Sequence, residues 1–268
     1  MTYPGGKGRT YQHIINHLPP HDVYIAAFLG EDAVMKKKRP ASVNIGIDPD
    51  QDVIARWRTA GTVDCGGGGA VTPGMGVSPS ESQRPLPPEM MIAAAAPTTT
   101  NGEVTKYEFI QGNALTVLPS LLPDIRGRVL IYLDPPYLRH TRSTSKDIYR
   151  HEFHTIEQHT QLLTFIQTLP YMIAISGYYS DLYMNMLKGW HHIHYTTYTR
   201  SHRQVEEYLW MNYPKPYLLH DYQHLGHNYR ERERIKKKKT RHLNRLQRMD
   251  DAERYAILSA FQDAGLLP

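Results

Sequence analysis

The sequence predicts an α/β fold: a mostly parallel sheet covered by helices on both faces and finished by an antiparallel strand pair. Three observations predict it. Short apolar runs alternate with helix-length segments through the first two-thirds of the chain. The last two runs follow one another across a short polar connection with no helix between. And 268 residues with a 40% apolar share suffice for one α/β core plus an appendage.

Taken in order, Asp22 to Phe28 (DVYIAAF) reads as a buried strand, Val43 to Ile47 (VNIGI) as a second and Tyr107 to Gln111 as a third. Arg128 to Leu133 and Tyr171 to Ser176 add two more. Helices are expected over Asp50–Thr59, Ala114–Leu122 and Thr155–Thr168, the crossovers that parallel strands require. Trp190–Thr199 and Val205–Asn212, joined by RSHRQ, form the antiparallel pair. Residues 61–104 hold CGGGGAVTPGMGVSPSESQRPLPPE and AAAAPTTTNG, rich in Gly, Pro, Ser and Thr and without periodicity, and are expected to be a flexible insertion. Its Gly66–Gly69 run is not a phosphate loop, since no Gly-Lys-Ser/Thr follows.

From about Asp221 two helices are expected. The second, DDAERYAILSAFQDAG, is capped by Asp250 or Asp251, and its Tyr255, Leu258 and Phe261 are expected to bury one face against the body. The first is the basic run Arg230–Arg248, with ten Lys/Arg against two Glu; this local +8 leaves the rest of a +5 chain at −3. Charge so concentrated fits a nucleic-acid-binding arm, with a solvated basic helix as the plain alternative. Two units follow: 1–220, carrying the insertion, and a helical extension, 221–268.

No apolar run is long enough for a membrane span, and the N-terminus lacks a secretory h-region. The single cysteine, Cys65, cannot close an internal disulfide, so a reducing, cytoplasmic setting is expected. His192 and His194 alternate along a strand, but a half-exposed strand explains them better than a metal site, and no metal is expected.

The chemistry concentrates in Asp134-Pro135-Pro136-Tyr137, directly after a buried strand. Ligands of parallel sheets bind beyond the strands' carboxyl ends. There Asp134 offers a carboxylate acceptor, the prolines leave a carbonyl free of neighbouring N–H groups, and Tyr137 offers a stacking plane. Two acceptors beside an aromatic face suit a planar group bearing an exocyclic amine, such as a flipped-out nucleobase.

DPPY resembles the catalytic motif of amino-group DNA methyltransferases, and further stretches extend the likeness. YPGGKG (Tyr3–Gly8), FLGEDAV (Phe28–Val34), GIDPD ending the second strand at Asp48, QGNAL (Gln111–Leu115), ISGYYSDLY and EEYLWMNYP resemble, in order, motifs of the Dam-like (D12 class) adenine-N6 methylases. The small phage and prophage enzymes of that family are the nearest in pattern. The resemblance implies a Rossmann-like methyltransferase fold, S-adenosylmethionine as cofactor and DNA as partner. It also implies a cytoplasmic location in a bacterial or phage-infected cell. By the same resemblance Asp134, Pro135, Pro136 and Tyr137 are catalytic. Tyr3, Lys7, Phe28, Gly30, Asp48, Asn113 and Asp134 bind cofactor, Lys7 at its methionine carboxylate and Asp48 at its ribose. DPPY alone also admits transfer to RNA adenine or to cytosine N4.

The cofactor loop departs from the family pattern at Ala26, Glu31 and Asp32. Asp32 is expected to add bulk and negative charge beside the cofactor, and Glu31 to be the one acid able to swing in as a substitute. An inactive scaffold that still binds nucleic acid is the second reading. Only Ala114 to Leu133 separate QGN from DPPY, too little for a target-reading domain. Target contacts therefore fall to Arg139, Arg142, Lys146 and Arg150 in the loop after DPPY, and to Lys236, Lys237, Lys238 and Lys239 in the basic helix. Such contacts grip phosphates more than bases, so short or relaxed sequence specificity is expected.

Overall fold

The computed structural model describes residue 7 and residues 10–63, 105–141, 153–198 and 203–266. The elements run α1 (Tyr11–Ile15), β1 (Val23–Ala26), α2 (Ala33–Lys37), β2 (Val43–Asp48), α3 (Gln51–Val63), β3 (Lys106–Gln111) and α4 (Ala114–Leu121). After them come β4 (Val129–Leu133), α5 (Ile156–Gln167), β5 (Met172–Tyr178), α6 (Asp181–Met186), β6 (His191–Tyr198), β7 (Gln204–Met211), α7 (Tyr229–Gln247) and α8 (Asp251–Asp263).

The strands form one seven-stranded sheet in the order β3-β2-β1-β4-β5-β7-β6. β3, β2, β1, β4 and β5 are parallel neighbours, and β7 runs antiparallel to both β5 and β6. Alternation along each strand divides the core in two. Tyr24, Leu130, Tyr132 and Ala174 face one side with Ile14, Leu18 and Val34. Ile25, Ile45, Ile131 and Ile173 face the other with Leu118 and Leu162. β1 and β4 are buried along their whole length, which is why they read as continuous apolar runs.

The helix starts follow from local chemistry. Thr155 and Gln158 make a reciprocal capping box on α5, and Asn113, Ser180, Asn228 and Asp250 cap α4, α6, α7 and α8. Every strand and the three crossover helices match the sequence expectation to within a few residues. α3 runs to Val63, three residues into the stretch expected as a flexible insertion; the rest of that stretch lies outside the described residues. α1, α2 and α6, of five or six residues, are too short to show a helical period and were not expected.

One expectation is overturned. α8 does not bury an apolar face against the body: neither α7 nor α8 has a buried residue, and Tyr255 is 66% exposed. The helix expected over the basic run Arg230–Arg248 is present as Tyr229–Gln247. The reason lies in α7, whose Lys and Arg side chains keep their hydration by standing off the core, and α8 is carried with it. Among the described residues no helix is long and apolar enough to cross a membrane.

Candidate active site

In this strand order the crossovers reverse direction between β1 and β4, and the crevice beyond their carboxyl ends is where such sheets receive ligands. Asp134 leaves β4 directly into that crevice, its side chain 18% exposed. Lys7, almost fully buried, donates to Asp134 Oδ1 at 2.8 Å, and Ser176 Oγ donates to the same oxygen at 2.9 Å. Asp134 Oδ2 has no partner among the described residues, and neither does the Pro135 carbonyl. Among the described residues the carboxylate is thus anchored through one oxygen only.

The anchor extends further. Ser176, on β5, exchanges a 2.9 Å hydrogen bond with the hydroxyl of Tyr132. Lys7 also donates to the Tyr137 hydroxyl, and that hydroxyl donates to Glu207 Oε1 at 3.1 Å. Glu207 Oε1 lies 3.7 Å from the Lys7 ammonium, and Oε2 accepts from Thr10 Oγ1 at 3.5 Å. The sheet explains why Glu207 arrives here. β7 is antiparallel, so its early residues lie at the edge where the parallel strands end, and Glu207 is in register with Tyr178, the last residue of β5. The Tyr137 ring rests 4.3 Å from that of Tyr178, inclined at 54°.

Burial pushes the Asp134 carboxyl above the ordinary carboxylate range; Lys7 and the Ser176 hydroxyl oppose this, while the Glu207 charge adds to it. Burial likewise raises the Tyr137 phenol, with Asp134 and Glu207 adding to the effect, so Tyr137 is a neutral donor. Glu207 was not singled out in the sequence, and no local signal marks it, since its partners lie 70 and 197 positions away. Lys7, expected beside a methionine carboxylate, has its ammonium on Asp134 and Tyr137.

The other expected cofactor residues gather around β1 and β2. Asp48 ends β2; its Oδ2 accepts from the Gly30 N–H at 2.8 Å and its Oδ1 from Asp50 N–H at 2.9 Å. Gly30 adopts φ 40°, a turn that aims its N–H at Asp48 while its carbonyl accepts from the Trp57 indole at 2.8 Å. Both Asp48 oxygens act as acceptors at the carboxyl end of β2, and a carboxylate at that place is the chemistry that suits a ribose diol. Phe28 is half-buried against Phe153. Asn113 caps α4 through its side-chain oxygen at 2.9 Å, leaving its amide for a ring nitrogen. Tyr3 lies outside the described residues.

Asp32 corrects the expectation for the cofactor loop. It is 8% exposed and turned inward, where Oδ1 accepts from Val34 N–H at 2.7 Å to cap α2 and Oδ2 accepts from the Tyr24 hydroxyl at 3.0 Å. A residue at an N-cap satisfies the free N–H groups of its helix before it reaches outward. Burial raises its carboxyl to about 6. Glu31 pairs with Lys36 and Arg56, so it is not swung toward Asp134.

Of the expected nucleic-acid contacts, Arg139 is exposed just past DPPY, and Arg142, Lys146 and Arg150 lie outside the described residues. Lys236, Lys237, Lys238 and Lys239 are exposed on α7, with Lys239 donating to the Tyr222 carbonyl at 3.4 Å. His192 and His194 share the exposed face of β6 beside Tyr208.

A parallel sheet with an order reversal, an antiparallel finishing pair and an acid-Pro-Pro-Tyr turn at the switch point defines a Rossmann-like methyltransferase fold. Residues 120–206 match the family model of the D12 class N6 adenine-specific DNA methyltransferases. The segment holds β4, DPPY, β5 and β6. No curated protein matches the chain. Similar solved structures include SMU.1697c of Streptococcus mutans, assigned as a methyltransferase and bound to SAH, at 11% identity, TM-score 0.40, covering 79% of this chain and 99% of that one. An rRNA methylase of Streptococcus thermophilus is similar at 10% identity, TM-score 0.41, with 79% and 97% covered. So is a SAM-dependent methyltransferase of Agrobacterium tumefaciens, at 12% identity, TM-score 0.37, with 75% and 58% covered.

Proposed function

We propose that this chain transfers a methyl group from S-adenosylmethionine to the N6 amine of adenine in DNA. The observation that carries the reading is the open pair of acceptors, Asp134 Oδ2 and the Pro135 carbonyl, at the end of a fully buried strand. The bound cofactor supplies an electrophilic methyl group on a sulfonium centre. The chain's own residues do the rest by positioning and electrostatics. Asp134 Oδ2 and the Pro135 carbonyl each accept one N6–H, drawing the nitrogen away from conjugation with the ring and freeing its lone pair for in-line attack. Tyr137, fixed at its hydroxyl by Lys7 and Glu207, offers its ring to the flipped base. Lys7 works against the burial of Asp134 and keeps that carboxyl an acceptor.

Asp48 holds the ribose and Asn113 the cofactor's adenine, with Gly30 and Phe28 lining the turn above them. Pro136 fixes the turn that aims Tyr137. The unit 1–220 carries the transfer. Arg139 and the lysines of α7, in the unit 221–268, grip DNA phosphates, which favours short or relaxed target specificity and binding that weakens steeply with salt. The inward cap role of Asp32 supports a working site at that one of the three departures, Ala26, Glu31 and Asp32.

The test is direct. The protein is incubated with methyl-labelled S-adenosylmethionine and unmethylated DNA, and the digested nucleosides are identified. N6-methyladenine that vanishes in Asp134→Ala supports the proposal. Label appearing only in cytosine N4, or only when RNA replaces DNA, moves it to that substrate; no label in any substrate overturns it.

A further inference from the structure

The Lys7–Asp134–Glu207 cluster contains two carboxylates and one ammonium, all largely buried. Lys7 lies 2.8 Å from Asp134 and 3.7 Å from Glu207, so among the described residues one cation serves both acids, and these three side chains, all ionised, sum to −1. Anchoring Tyr137 does not require that charge: a neutral amide at position 207 would accept the same hydroxyl. A buried excess charge is costly and persists only where something offsets it. Among the described residues the other groups at Glu207 are the hydroxyls of Thr10 and Tyr195, both neutral.

We infer that Glu207 matches the site to a cationic ligand, so that it holds a sulfonium methyl donor in preference to the neutral thioether left after transfer. The inference rests on the methyltransferase reading above. It assigns Glu207 a positioning and discriminating role and leaves the chemical step to Asp134. Once the methyl group has left the sulfur, positive charge has passed to the methylated amine. The amine then sheds a proton by way of Asp134 to solvent, which leaves the cluster at its original charge. The neutral thioether no longer offsets the cluster's charge, and its release is favoured. A single charge at short range in a partly buried site is worth about 10-fold in affinity.

The experiment measures binding rather than turnover. Calorimetry with the full chain gives dissociation constants for S-adenosylmethionine and S-adenosylhomocysteine in wild type, Glu207→Gln and Glu207→Asp. Glu207→Gln keeps the acceptor for Tyr137 and removes the charge; donor affinity should fall about 10-fold relative to product. Glu207→Asp should keep the wild-type preference. If circular dichroism shows that Glu207→Gln is unfolded, Lys7→Gln gives the converse test by shifting the preference toward the donor. A donor-to-product ratio unchanged in the folded variant overturns the inference and leaves the methyltransferase reading intact. Wild-type protein that binds neither ligand sinks both.

Discussion

The turn after β4 and the loop after β1 leave adjacent, fully buried strands at the same edge of the sheet, and each carries an aspartate. Among the described residues Asp134 takes both its donors, Lys7 and Ser176, on one oxygen. Asp32 has donors on both oxygens, Val34 N–H on Oδ1 and the Tyr24 hydroxyl on Oδ2, and is turned into the protein to cap α2. The two acids differ less in depth than in how their neighbours are distributed. At Asp134 the donors converge on one oxygen at the crevice; at Asp32 they lie on both and serve the fold. A charge map of the sequence cannot separate these cases.

The largest test of that contrast is Asp134→Ala, which removes the open oxygen and should cut methyl transfer by about a thousand-fold or more, the scale of losing a group that acts on the reacting atoms. Single-turnover assays check it. Lys7→Met leaves the oxygen but removes the buried cation, and transfer should fall by about 10- to 100-fold. It should also move the acidic limb of the rate profile. Asp134 is held above the usual carboxylate range by burial with Lys7 opposing, so activity needs the ionised form and falls with falling pH. Without Lys7 that fall should begin at higher pH.

Replacing Lys236, Lys237, Lys238 and Lys239 by Gln should weaken DNA binding about 10-fold near physiological salt. It should also flatten the dependence on log salt, equally for all sequences, because these groups meet phosphates. Asp32→Asn should do least to activity, changing it less than about 3-fold, yet alter stability. The Asp32 carboxyl is raised by burial to about 6 from 3.8, so its contribution is fully present below about 4 and is lost as pH rises through 6. The variant should abolish that loss, worth at most about 3 kcal/mol between pH 4 and 7 in chemical denaturation. A large fall in transfer by Asp32→Asn would collapse the distinction between the two acids.

Much of the architecture was legible from local pattern. Continuous apolar runs such as VLIYL record burial on both faces, and capping residues such as Thr155 and Asn113 mark helix starts with their own hydrogen bonds. The acid, the prolines and the ring of DPPY are contiguous, so their joint presentation at a strand end was also readable. α8 misled because its apolar spacing is real, but the charged helix before it decides where it goes.

Sequence alone, then, determined the order of strands and helices, the position of the acid-Pro-Pro-Tyr turn and the separation of charge into the C-terminal arm. These are properties of neighbouring residues and of short periods. Only the tertiary structure decided that Lys7 and Glu207 meet Asp134 and that Asp32 turns inward. Lys7 and Asp134 stand 127 positions apart, and what joins them is the order in which strands pair. A hydrogen bond between side chains leaves no mark on the chain until the sheet has brought its ends together.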